Sequence, residues 1–268
     1  MGLIGLITDF GDRDEYAGVM KAVILGVDPR AVIVDVTHAI EPQDRHGAAF
    51  VLHSAYRFFP PGSLLVVVVD PGVGTDRAIL FVESEGRRFL APDNGVLSPV
   101  IEPSSAPRCR VIDPAAVARS PVSATFHGRD LFAPAAGRLS RGEDPSALGP
   151  EIPAERLRRL EGLRAERTPQ GGIVGRVVHV DRFGNLITNI EGGELEKACG
   201  RVRVHAGGIR LEGLCRTYAD AAPGSLLALV GSRGMLEIAA RDGHAARRTG
   251  IRRGEAVRVE FLDGQSTP

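Results

Sequence analysis

Three apolar runs near the start of the chain, residues 3–8, 31–36 and 64–69, are separated by stretches with helical periodicity. In the first stretch Tyr16, Val19, Met20, Val23, Ile24 and Val27 share one face; Asp12 and Asp14 suit its start, and Pro29 its end. Residues 44–59 form the second, stopped by Pro60-Pro61-Gly62. Parallel neighbours need long crossover connections, and strands buried on both faces read as unbroken apolar runs. The order strand, helix, strand, helix, strand therefore predicts an α/β N-terminal domain with a mainly parallel sheet.

The pattern changes after about residue 170. Short apolar runs follow at 173–180, 186–190, 202–205, 209–211, 226–230, 235–239 and 256–261, with a Gly207-Gly208 hairpin signal between two of them. A smaller all-β, barrel-like C-terminal domain is expected. The domain bounds read as 1–167 and 173–264, with a linker at Thr168-Pro169-Gln170-Gly171-Gly172. Residues 151–167, rich in Arg, Glu and Leu, read as a solvated connecting helix.

Lysine plus arginine and aspartate plus glutamate each number 33, so no net field draws the chain to nucleic acid or an anionic membrane. Cys109, Cys199 and Cys215 are far apart, and no CxxC pair exists. That argues against a thiolate metal site or a disulfide framework and fits a cytoplasmic location. The first residues lack the basic region of a signal peptide, and no apolar stretch approaches bilayer length.

Two of the apolar runs end in an acid followed by glycine: Thr8-Asp9-Phe10-Gly11 and Val69-Asp70-Pro71-Gly72, with Arg77 seven residues after Asp70. Ligands of open α/β sheets gather beyond the carboxyl ends of strands. Capping of a turn is the competing reading for either acid alone; two equivalent acids point to a site. Asp93 and Asn94 form a third polar turn, and Phe126-His127-Gly128-Arg129-Asp130 opens an apolar segment with an imidazole. In the β domain, Asp181, Phe183 and Asn185 share one turn, a set able to hold an amine or a purine. Ser232 and Arg233 lie on another turn and suit a carboxylate. His38, His46, His53, His179, His205 and His244 read as structural or surface residues. No phosphate loop, strand-linked GxGxxG or GxSxG elbow is present.

Taken in order, these motifs together with Pro42-Gln43-Asp44 and Gly231-Ser232-Arg233-Gly234 resemble the S-adenosyl-L-methionine (SAM) hydrolases. These enzymes are also called SAM hydroxide adenosyltransferases and are relatives of fluorinase and chlorinase. The resemblance implies a homotrimer with each substrate held between one subunit's N-domain and its neighbour's C-domain. It implies hydrolysis of SAM to adenosine and methionine with no cofactor and no metal. It assigns water activation to Asp70, Arg77 and His127, and the ribose hydroxyls to Asp9. Asp181 would hold the methionine amine, Ser232 and Arg233 the methionine end, and Phe183 and Asn185 the adenine pocket. Gln43, Asn94 and Gly128 complete the substrate-binding set.

The chain departs from the halogenating relatives. Asp70 stands where fluorinase has a tyrosine, Gly128 replaces the halide-pocket serine, and Gln43 replaces a tryptophan. Only Glu85-Gly86-Arg87-Arg88 fills the place of a long insertion. All four differences favour water over halide. Two other readings remain at this level. Asp9, Asp12, Asp14, Asp70 and Asp93 offer hard oxygen ligands for a metal-dependent nucleoside or phosphoester hydrolase, although Arg77 is an unwelcome neighbour for a cation. The third is a non-catalytic SAM or adenosine sensor.

Overall fold

The computed structural model describes residues 2–118, 121–196 and 201–262. Cys199 and the last two residues of the expected C-terminal domain, 263 and 264, lie outside the described residues. The chain divides into two compact units, Met1–Glu161 and Gly162–Pro268.

In the first unit β1 (Leu3–Thr8), α1 (Tyr16–Val27), β2 (Val32–Thr37), α2 (Arg45–Ala55) and β3 (Leu64–Val68) follow the alternation read from the sequence. The sheet continues with β4 (Ile79–Ser84), β5 (Arg87–Pro92), β6 (Arg108–Val111) and β7 (Glu151–Ile152), in the order β2-β1-β3-β5-β4-β6-β7. The strands β2, β1, β3 and β5 are parallel; β4, β6 and β7 extend the sheet by antiparallel pairing. Five strands thus run one way, because β6, antiparallel to β4, points with β5. The antiparallel turn comes from Glu85 and Gly86, whose φ of 48° and 73° make the two-residue hairpin that joins β4 to β5.

Every residue of β3 is buried, as its central position demands. On α1 the residues Ala17, Met20, Val23 and Ile24 are buried, and Asp44 caps α2 by accepting the Gly47 N–H at 2.9 Å. Two one-turn helices, α3 (Ser98–Ile101) and α4 (Pro114–Val117), precede a π-helical turn at Gly128–Phe132 that runs into α5 (Ala133–Ser140). Among the described residues no helix is long and apolar enough to cross a membrane.

Residues 151–167 do not form the connecting helix expected from their charge. Its only helical turn is the 3-10 turn Ala154–Arg156, and its two ends, Glu151–Ile152 and Glu166–Arg167, are strand. The segment is instead pinned against the 93–98 turn: Arg158 N–H donates to Asp93 Oδ1 and Leu160 N–H to Ser98 Oγ, each at 2.9 Å. Leu157 and Leu160 are buried beneath it. Those partners are distant in sequence, so local periodicity carries no trace of them.

The second unit holds β8 (Glu166–Arg167), β9 (Ile173–Val180), β10 (Leu186–Glu191), α6 (Gly192–Glu196), β11 (Val202–Ala206), β12 (Ile209–Glu212), β13 (Leu226–Val230), β14 (Met235–Ala240), α7 (Ala245–Thr249) and β15 (Ala256–Phe261). Its strands pair antiparallel in the order β12-β11-β15-β9-β10-β14-β13, and β8 pairs with β9. The end strands β12 and β13 touch, which curls the sheet into a barrel-like form. Val202, Val204 and Ala206 turn inward along β11 while Arg203 and His205 face outward, the period expected of a half-buried strand.

Candidate active site

The end of β3 delivers Asp70 into a loop built around one ion pair. Val69 is fully buried, and Asn94 Nδ2 donates to its carbonyl at 2.9 Å, which fixes the strand end. Beyond it the chain folds back through Gly72 and Gly74. Thr75 Oγ1 donates to the Gly72 carbonyl at 2.7 Å, and Arg77 N–H donates to Thr75 Oγ1 at 3.3 Å. Gly74 has a φ of 79°, and a Cβ there would fall on the Ala124 carbonyl oxygen. This tight return brings Arg77 onto Asp70. Nε donates at 2.8 Å and Nη2 at 2.5 Å to Oδ2, and Nε lies 3.1 Å from Oδ1.

The pair is 5 % and 6 % exposed at its two side chains. Burying two charges costs several kcal/mol per ion even after relaxation, so a pair held this way is poor evidence for stability. Its second partner points to chemistry: Arg77 Nη2 donates to His127 Nδ1 at 2.8 Å. His127 stands immediately before the π-helical turn, a feature frequent at functional sites. Burial pushes its pKa down from the ordinary 6.5, the Arg77 charge lowers it further, and Asp70 and Asp130 only partly oppose this. The imidazole is neutral at pH 7, with Nδ1 accepting and Nε2 carrying the proton.

Asp9, at the end of β1, accepts the Gln43 N–H on Oδ2 at 2.8 Å. Burial raises its pKa, hydrogen bonds from Gln43 and its own backbone oppose this, and the charge of Asp70 adds to the rise. The two strand-end acids therefore feel each other. Gln43 holds a left-handed φ of 66° to present that N–H. Asn94 is buried with both amide ends engaged, since Oδ1 accepts the Val96 N–H at 3.2 Å. Gly128 is also buried, and a Cβ there would crowd Met20, Phe126 and Phe10 at 3.1–3.3 Å. Phe10, Tyr16 and Phe126 form an aromatic cluster with ring centroids 5.0–5.9 Å apart, beside the same turn.

In the second unit Asp181 organises its own turn. Oδ1 accepts the N–H groups of Phe183 and Asn185, each at 2.9 Å, and Oδ2 accepts Asn185 Nδ2 at 3.1 Å. Phe183 is left 74 % exposed, an apolar ring offered to a partner or ligand. Ser232 and Arg233 are exposed on the tight turn between β13 and β14, closed by Gly231 N–H to the Met235 carbonyl at 3.0 Å.

Sequence reasoning missed Glu237. It is 5 % exposed on β14 and accepts the Tyr218 hydroxyl on Oε1 at 2.6 Å. Burial raises the Glu237 pKa; Tyr218 and Arg233 oppose this, and Asp181 adds to it. Burial and Glu237 push the Tyr218 hydroxyl up to about 12. The signal was an acid inside the apolar run Met235–Ala240. Among the described residues no group of three His, Cys, Asp or Glu is arranged to hold a metal ion. Of the acids considered as ligands, Asp70 is taken by Arg77 and Asp93 by the Arg158 N–H.

Residues 4–149 match the model of the SAM hydroxide adenosyltransferase N-terminal domain, and residues 175–258 that of its C-terminal domain. A protein of Thermus thermophilus named (R)-S-adenosyl-L-methionine hydrolase is 38% identical over 94% of this chain and 97% of its own. One of the same name from Salinispora tropica is 34% identical over 96% and 97%. The crystal structure of an uncharacterized conserved protein from Thermotoga maritima is similar with a TM-score of 0.89 at 34% identity, covering 96% of this chain and 99% of that one.

Proposed function

The chain belongs to the SAM hydroxide adenosyltransferase family, and on that premise we propose that it hydrolyses S-adenosyl-L-methionine to adenosine and L-methionine. The observation that carries this reading is the hydrogen-bonded chain Asp70–Arg77–His127 at the carboxyl end of β3. In the proposed step a water oxygen attacks C5′ in line with the C5′–S bond. The bonding pair leaves on sulfur, which departs as a neutral thioether, and the oxonium formed at C5′ loses its proton to solvent water, giving the adenosine hydroxyl. Such a leaving group needs neither an acid nor a metal, and no cofactor enters the proposal.

What the protein supplies is placement and electrostatics. Fixing a nucleophile in a near-attack geometry is worth about 7–11 kcal/mol in favourable cases. His127, with Nδ1 occupied by Arg77, offers Nε2–H as a donor to the water oxygen. It is not the base, because the other tautomer would turn an N–H against the guanidinium. Asp70 orients the water through a carboxylate whose position is locked by two guanidinium nitrogens. Asp9 engages the ribose hydroxyls, with Gln43, Asn94 and Gly128 shaping that side. Asp181, Ser232 and Arg233 take the amino-acid end, and Phe183 and Asn185 the adenine.

The water-handling groups lie in the first unit and the amino-acid groups in the second. The resemblance supports a homotrimer in which one subunit's first unit and a neighbour's second unit share each substrate, and the scattered cysteines without a CxxC pair support a cytoplasmic location. The test is incubation of purified protein with SAM, with and without chloride or fluoride and with and without a chelator. The expected products are adenosine and methionine in every arm. A halogenated nucleoside, or activity lost to the chelator and restored by Mg²⁺, overturns the mechanism; SAM binding with no nucleoside released makes the protein a sensor.

A further inference from the structure

Behind the Asp9 turn lies a hydroxyl–imidazole–carboxylate chain that the proposed reaction does not use. Thr8 Oγ1 is 2.8 Å from His38 Nδ1. His38 Nε2 lies 3.0 Å from Asp35 Oδ1, an electrostatic contact without the alignment of a hydrogen bond. Lys21 Nζ donates to Asp35 Oδ2 at 2.6 Å. The order of groups is that of a nucleophilic triad, but Thr8 is 0 % exposed, so its oxygen meets no substrate. Thr8 Oγ1 accepts the Phe10 N–H at 3.3 Å. That bond fits a hydroxyl proton directed at His38 Nδ1 and an imidazole proton on Nε2, toward Asp35.

The backbone completes the grip. Gly11 N–H donates to the His38 carbonyl at 2.8 Å, and Ile40 N–H donates to the Thr8 carbonyl at 3.3 Å. His38 thus holds Thr8 with its ring and Gly11 with its carbonyl, on either side of Asp9. The segment it begins then ends in the Gln43 N–H that binds Asp9 Oδ2. We propose that His38 is a positioning residue for Asp9, setting the carboxylate at the distance that the two ribose hydroxyls of the substrate require. The proposal rests on the reading of Asp9 given above.

The experiment compares adenosine with 2′,3′-dideoxyadenosine as competitive inhibitors of SAM turnover. A structural histidine weakens both alike; one acting through Asp9 weakens only the ligand that carries the hydroxyls. His38→Ala is expected to cut the preference for adenosine about tenfold and leave dideoxyadenosine unchanged. His38→Asn, whose amide reaches the place of Nδ1, restores most of it. Thr8→Val, nearly isosteric, reproduces the loss and serves if His38→Ala folds poorly. In an Asp9→Ala background His38→Ala has no further effect. Equal weakening of both nucleosides, or additive losses with Asp9→Ala, overturns the role of His38 alone. An undiminished adenosine preference in Asp9→Ala itself overturns the assignment of Asp9 and the proposal with it.

Discussion

Arg77 Nη2 lies 2.8 Å from His127 Nδ1, and since a guanidinium only donates, this one contact fixes the imidazole tautomer. The arginine neutralises Asp70 with one edge and orients His127 with the same nitrogen that reaches Oδ2. Removing any of the three therefore disturbs the other two.

His127→Asn separates the two jobs of the ring. The amide oxygen can still accept from Arg77, but nothing remains at the place of Nε2. Turnover is expected to fall by about 10²–10³ in kcat, the usual cost of losing an oriented donor, with KM nearly unchanged. Steady-state kinetics check it, and a kcat within about threefold of wild type removes His127 from the water.

Acid should inhibit through the same contact. Below its lowered pKa the His127 ring gains a proton on Nδ1, facing the Arg77 N–H. The value of kcat/KM is expected to fall on the acid side with an apparent pKa below 6.5, a limb that His127→Asn lacks. The sign for stability agrees. The unfolded chain binds this proton first, so the contribution of His127 is present above 6.5 and is lost as pH falls through the folded value. A pH–rate profile of both proteins decides the matter.

Arg77→Ala leaves Asp70 buried beside no cation. The expected loss is about 3–5 kcal/mol of stability, read by denaturant unfolding, together with turnover. Arg77→Lys restores the charge but not the fork, so stability recovers in part while kcat stays at least about tenfold low.

Gly74→Ala tests the turn that folds Arg77 back onto Asp70. Both Gly74 and Gly142 have positive φ, 79° and 93°, but only Gly74 would meet a backbone carbonyl, and Gly142 has open space. Gly142→Ala should cost about 1–2 kcal/mol with activity intact. Gly74→Ala should cost more and reduce turnover as well. Equal effects of the two would show that backbone conformation alone matters.

Asp181→Asn keeps an acceptor for the Phe183 and Asn185 N–H groups but removes the charge. Binding of SAM should weaken about tenfold and binding of adenosine clearly less, because only SAM carries the ammonium and the adenine side loses only the Asn185 Nδ2 bond to Oδ2. Isothermal titration of both ligands distinguishes this from a collapse of the turn, which would weaken both alike.

The alternation of apolar runs and helical faces up to residue 69 announced the parallel half of the first sheet: β1 and β3 are buried on both faces and leave unbroken runs, whereas β2, at the edge of the sheet, carries the same kind of run with Val32 and Val34 exposed, which the sequence alone does not distinguish. The short runs after residue 170 announced the antiparallel unit for the complementary reason: half-buried strands and glycine turns recur at close spacing. Residues 151–167 misled because their partners, Asp93 and Ser98, are fixed by long-range hydrogen bonds, not by periodicity. Glu237 escaped notice because an acid in an apolar run looks like a strand's solvent face until Tyr218 is seen covering it.

By itself the sequence determined which residues end strands in tight glycine turns, since apolar runs, acids and glycines act over a few neighbours. It set Asp70 with Arg77, and His127 apart from them, on two remote turns, and the family resemblance joined the three as one water-activating set. Only the tertiary structure decided that His127, fifty residues beyond Arg77, accepts from it through Nδ1, and that His38 braces the turn of Asp9. Tautomer and grip depend on distances of 2.8 Å between groups remote in the chain, and those exist only once the core has packed.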